Sequence, residues 1–129
     1  MLAIAERVAR FLASGDEGLL ENAFARSGVV IVENFAPFVF EGPGAVASWT
    51  AGMSAHLHGL ADLRHEFGPA QDFSQADDIA YFALPTTWRG VARGRPFTET
   101  GGWSFVLVRE DSAWRVRAYG WAVTGYSRA

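Results

Sequence analysis

The chain has 129 residues and a formal charge of −3 at pH 7; half of its residues are apolar and 14% are aromatic. That is the length of one domain, able to bury roughly two thirds of the surface it exposes when unfolded. The lack of cysteine excludes disulfides, thiolate metal sites and cysteine nucleophiles, and the scattered charges exclude the basic face of a nucleic-acid binder.

In chain order, the first element is a helix. Ile4, Val8, Phe11 and Leu12 recur at helical spacing, and Ser14-Gly15 ends the pattern. Glu6, Arg7 and Arg10 interrupt this segment too early for a signal peptide. Asp16 is suited to cap a second short helix that carries Leu19, Leu20, Ala23 and Phe24 inward, with Gly28 beyond its end. The β-branched run Val29–Asn34 reads as a strand, and Pro37 argues against a central strand just after it. Gly42-Pro43-Gly44 then introduces a third helix, in which Val46, Trp49, Met53 and Leu57 line one face and His58-Gly59 closes the pattern.

From Asp62 onward the pattern turns to strands. Four segments, beginning LRHEF, DIAYF, PFTET and AWRVR, are separated by turn chemistry at Asp77-Asp78, Gly90 to Gly94 and Asp111-Ser112. Arg89, Arg93 and Arg95 fall at one of these breaks and read as a solvated hairpin loop. No apolar run is long enough to span a membrane, and nothing resembles a linker or an internal repeat. One domain over residues 1–129 is predicted, in a chain whose lack of cysteine fits a cytoplasmic location.

The last two segments pose a question about coverage. Trp103, Phe105 and Leu107 share one face of their strand, while Val106 and Val108 share the other. In the closing strand, strict alternation puts Trp114, Val116 and Ala118 on one face and Arg115, Arg117, Tyr119 and Trp121 opposite. Both faces of this sheet therefore carry large apolar groups. Helices early and strands late predict an α+β fold, with three N-terminal helices on the concave face of a strongly curved, mostly antiparallel sheet.

The order and spacing of ARFLASGDEG, of VVIVEN before GPGAV, of DDIAYF and of GWSFVLVREDSAWRV resemble the NTF2-like, or SnoaL-like, cone fold over essentially the whole chain. The resemblance implies a conical pocket and a superfamily that holds ketosteroid isomerases, polyketide cyclases, dehydratases and epoxide hydrolases beside non-catalytic adaptors. It also implies a homodimer through the outer sheet face, which would place Arg115, Arg117, Tyr119 and Trp121 in the interface. The isomerases' base carboxylate falls on Asn34, with Glu33 beside it; their helix-one tyrosine falls on Val8, and their second acid falls near Gly101–Trp103, with Glu99 the nearest carboxylate. A ketosteroid isomerase mechanism is thus not supported, because none of its three groups is present by position.

Other chemistry is open to these residues. Either Glu33 or Asn34 must point into the hollow, and a desolvated Glu33 would suit a general base. His65 shares a face with Leu63 and Phe67 and is the second candidate for acid or base. His56 and His58, two apart near a helix end, diverge and do not form a metal site. Asn34, Trp49, Met53, Tyr81, Trp88, Trp103 and Ala118 are expected to line the pocket around a small apolar or aromatic ligand. The expected chemistry is cofactor-free and metal-free dehydration, cyclisation or isomerisation. The alternative is a non-catalytic sensing or assembly module, whose cone would be filled by Trp and Phe and hold no buried titratable group.

Overall fold

The computed structural model describes all 129 residues. Helix α1 (Leu2–Ser14) buries Ala5, Val8, Ala9 and Phe11, and Gly15 ends it in the left-handed conformation at φ 73°. There the Gly15 N–H bonds the Phe11 carbonyl at 2.7 Å, a geometry glycine adopts without penalty.

The second expected helix is absent: the chain has two α-helices, not three. Asp16 does act as a cap, accepting from the Gly18 N–H at 3.0 Å, but only a 3-10 turn over Glu17–Leu20 follows. Asn22, at φ 57°, breaks the path, and the next residues run extended beside the closing strand. There the Ala25 N–H donates to the Val116 carbonyl and the Val116 N–H donates to the Ala23 carbonyl, a parallel bridge that buries Ala23, Phe24 and Ala25 as strand-like residues.

Strand β1 (Val30–Val32) and the edge strand β2 (Val39–Glu41) form an antiparallel pair, with Pro37 in the connection between them. Helix α2 (Ala45–His56) follows, and turns Trp49 and Met53 into the core. The predicted segment starting at LRHEF is two strands, β3 (Leu60–Phe67) and β4 (Gln71–Ala76), which pair with opposite ends of β5 (Ile79–Ala92). Gly68-Pro69-Ala70 separates them. β6 (Arg95–Glu110) and β7 (Ala113–Arg128) complete one sheet in the order β2-β1-β7-β6-β5-β3, with β4 also on β5. Only the β1–β7 pair is parallel. The turns at Arg93-Gly94 and Asp111-Ser112 hold both residues at positive φ, the two-residue geometry that matches strand twist. Gly90 is therefore a residue of β5 rather than part of the break.

Strict alternation fails in β7, and with it the expected assignment of faces. Val106 of β6 faces Ala118 while Leu107 faces Val116, so Arg117 is an extra residue in a β-bulge. Beyond it the pattern is inverted. Val116 and Tyr119 are both buried, and Trp121 lies on the concave side with them. The four residues expected on an outer dimer face thus do not share one face. Arg117 instead donates to the Gly28 carbonyl, and Arg115 stands 3.9 Å from Glu110. The large groups on the concave face are covered from within: Phe11, Trp49, Phe82, Phe105, Leu107 and Val116 form the centre of a single core between helices and sheet.

Candidate functional site

β1 carries its side chains in strict alternation, and this decides the fate of Glu33. Ile31 points inward and is fully buried, Val32 points outward, and Glu33, one residue past the strand, points inward again at 5% exposure. A carboxyl group so placed needs donors. The Trp49 indole N–H donates to Oε2 at 2.9 Å, and the Tyr119 hydroxyl donates to the same oxygen. Oε1 takes neither bond and is left to the hollow. Trp49 is fixed by Phe11 and Phe24, each with its ring centre 5.5 Å away, and Tyr119 by the edge-to-face ring of Trp103 and the tilted ring of Phe105.

Burial raises the Glu33 pKa above the ordinary carboxylate value; the Tyr119 and Trp49 bonds pull it back, and the charge of Glu99 adds to the rise. Tyr119 is held well above the ordinary phenol value by its own burial first and by the Glu33 charge next, so it stays a neutral donor.

The hollow is a cavity of about 90 Å³ between α1, α2 and the concave sheet, several times what one water molecule needs. Glu33, Asn34, Glu99 and His56 are its polar lining, and Met53, Trp88, Trp103 and Trp121 its larger apolar groups. Glu99 also has a raised pKa, through desolvation offset by a bond from the Trp121 indole. His56 stands at the mouth with its ring stacked on Phe35 at 4.4 Å, and partial burial lowers its pKa. The Trp103 indole N–H is buried and has no partner in the fold.

Of the residues singled out from sequence, Glu33, Asn34, Met53, Trp88 and Trp103 line this cavity. Trp49 lies behind its wall as the donor to Glu33. Three do not converge. His65 faces α1, where Nε2 lies 2.9 Å from Glu6 Oε2, and its ring packs on Phe67 and Trp88 outside the cavity lining. Tyr81 alternates with the buried Phe82, so it points to the outer face, bonded to the Ser104 hydroxyl at 3.2 Å. Ala118 goes to the outer face because of the bulge at Arg117. Sequence reasoning missed Glu99 and Trp121 as lining residues. Glu99 was within reach of pattern, since it shares β6 parity with Phe97 and Trp103; Trp121 was not, because only the bulge turns it inward.

No protein-family model matches this sequence, and neither does any curated protein. Solved structures do. A type 3 hexachlorocyclohexane dehydrochlorinase from Novosphingobium barchaimii aligns with a TM-score of 0.81 at 9% identity, over 99% of this chain and 86% of that one. An NTF2-like protein of unknown function in nutrient uptake from Rhodospirillum rubrum aligns at 0.70 and 22% identity, over 95% of this chain and 96% of its own. A function-unknown protein from Mycobacterium tuberculosis aligns at 0.76 and 14% identity, over 95% and 69%. The chain has the NTF2-like cone fold. At these identities the likeness is one of fold.

Proposed function

We propose that the cone binds a small, ring-bearing metabolite and performs cofactor-free acid–base chemistry on it, with Glu33 as the general base. The observation that carries this is the Glu33 carboxyl itself. It is buried at the end of β1, one oxygen is held by Trp49 and Tyr119, and the other is open to an apolar cavity. Desolvation brings its proton affinity toward that of a carbon acid's conjugate base, and the fixed Oε2 removes the entropy of finding the right orientation. Glu33 Oε1 would take a proton from a carbon next to a carbonyl; returning it at another carbon completes an isomerisation, whereas keeping it while a leaving group departs with its bonding pair from the adjacent carbon completes an elimination. Asn34 and the unpartnered Trp103 N–H are the available donors toward the oxygen on which charge develops. A dehydrochlorinase among the proteins of like fold fits an elimination, though through fold alone. The rival, a non-catalytic module, called for a cone without a buried titratable group, and the burial of Glu33 weighs against it.

The test is α-proton exchange in phenylacetone, followed by NMR in deuterated buffer. The wild type is expected to accelerate exchange, and Glu33→Gln to lose about 10²- to 10⁴-fold of that acceleration. His65→Gln, outside the cavity, should stay within about twofold of the wild type on the same reasoning. Equal exchange with and without the wild-type protein would overturn the proposal.

A further inference from the structure

The cavity wall has a charge character that Glu33 alone does not explain. Two carboxyl groups, Glu33 and Glu99, face it, and no arginine or lysine does. All eleven basic side chains of the protein are arginines that lie elsewhere. His56 is the remaining titratable group in the lining, and its lowered pKa leaves it neutral at pH 7. Nothing in the fold neutralises the two carboxylates from inside the hollow.

The strands arrange aromatic faces around one of them. Glu99 is the direct cross-strand partner of Trp88, and Trp103 that of Trp121. Between Glu99 and Trp103 on the concave side of β6 stands Gly101. A Cβ there would lie 2.8 Å from the Trp121 ring, so the missing side chain is what lets that indole lie over the strand. The result is a carboxylate beside three indoles and Phe97, on a wall with no positive charge. An aromatic face attracts a cation through its quadrupole, most strongly for tryptophan, and a desolvated carboxylate attracts it more. An anion meets the opposite on both counts.

We propose, on the strength of the pocket reading above, that the ligand is a compact organic cation, a protonated amine on a single ring, with its ammonium group on Glu99 and its body against Trp88, Trp103 and Trp121. The division of labour follows from depth. Glu33 lies deep, with one oxygen tied to Trp49 and Tyr119, and handles the proton. Glu99 carries one donor, from Trp121, and has capacity left for a ligand.

Three probes of nearly equal shape decide it: benzylamine, benzyl alcohol and benzoate, titrated into the wild-type protein at neutral pH with tryptophan fluorescence and calorimetry as readouts. Benzylamine should bind at least roughly tenfold more tightly than benzyl alcohol, and benzoate most weakly. Glu99→Gln should bring benzylamine down to the level of benzyl alcohol. If that variant does not fold, the three wild-type affinities still give the answer. Benzyl alcohol or benzoate binding as tightly as benzylamine would overturn the cation proposal and leave the pocket and the Glu33 chemistry standing. No saturable binding of any probe, together with no exchange in phenylacetone, would overturn both.

Discussion

Glu33 illustrates how one carboxyl group can be both a stability cost and a chemical resource. Its folded-state pKa is raised, chiefly by desolvation, so the folded chain holds the Glu33 proton more tightly than the unfolded chain does. The sign follows directly. The contribution to stability is fully present below the ordinary carboxylate pKa and is lost as pH rises through the raised folded value. Glu33→Gln keeps an acceptor oxygen for Trp49 and Tyr119 without the charge, so it should gain in melting temperature over the wild type as pH rises from about 4 to about 8. A constant difference across that range would contradict a raised Glu33 pKa. Tyr119→Phe removes one of the two donors and should destabilise by about 1.5–3 kcal/mol when the carboxylate is ionised, and by less in acid. Thermal melts at the two ends of the range measure both effects, and equal losses at both would mean that the hydroxyl bond is not charge-assisted.

Among the elements, β7 does most to shape the pocket. A regular strand would put Tyr119 and Trp121 outside and Ala118 inside; the single extra residue at Arg117 reverses this and gives Glu33 its second donor. Gly101 on the neighbouring β6 is the matching device. A Cβ there would sit 2.3 Å from the Ala122 carbonyl oxygen as well as against the Trp121 ring, and backbone cannot move aside as a flexible side chain can. Gly101→Ala should therefore cost roughly 1–3 kcal/mol and change the tryptophan emission spectrum, since the Trp121 indole must shift. An unchanged melting temperature and spectrum would mean that β7 can slide to absorb the methyl. The 3-10 turn at Glu17–Leu20 teaches a related lesson: Leu19, Leu20, Ala23 and Phe24 have helical spacing, but the chain ends in a short turn and Ala23 and Ala25 bond to Val116 instead.

At the scale of the whole molecule, the cone is a sheet of uneven depth. β5, β6 and β7 run 14 to 16 residues each and pair over nearly their full lengths, while β1 and β2 are three residues long at one edge. Hydrogen exchange should be slowest at the amides from Gly102 to Val108 in the centre of β6, and fastest among strands in β2. Uniform protection would indicate that the sheet opens only as a unit. No helix is long and apolar enough to cross a membrane.

The sequence by itself determined the class of fold, the two helices with their ends at Gly15 and before Gly59, and the presence of Glu33 at the end of an apolar strand. These are matters of local chemistry: helical periodicity, caps, β-branched runs and turn residues act over a few neighbours. The inward aim of Glu33, its donors Trp49 and Tyr119, and the assembly of Glu99 with Trp88, Trp103 and Trp121 were decided only by the tertiary structure. The physical reason is that side-chain direction in a strand is counted from its pairing, and one bulge residue changes that count until the next register shift. His65 and Tyr81 show the same limit. Each sits on a strand as expected, but whether it faces the cavity depends on what packs opposite: Glu6 of α1 for His65, and the outer face for Tyr81.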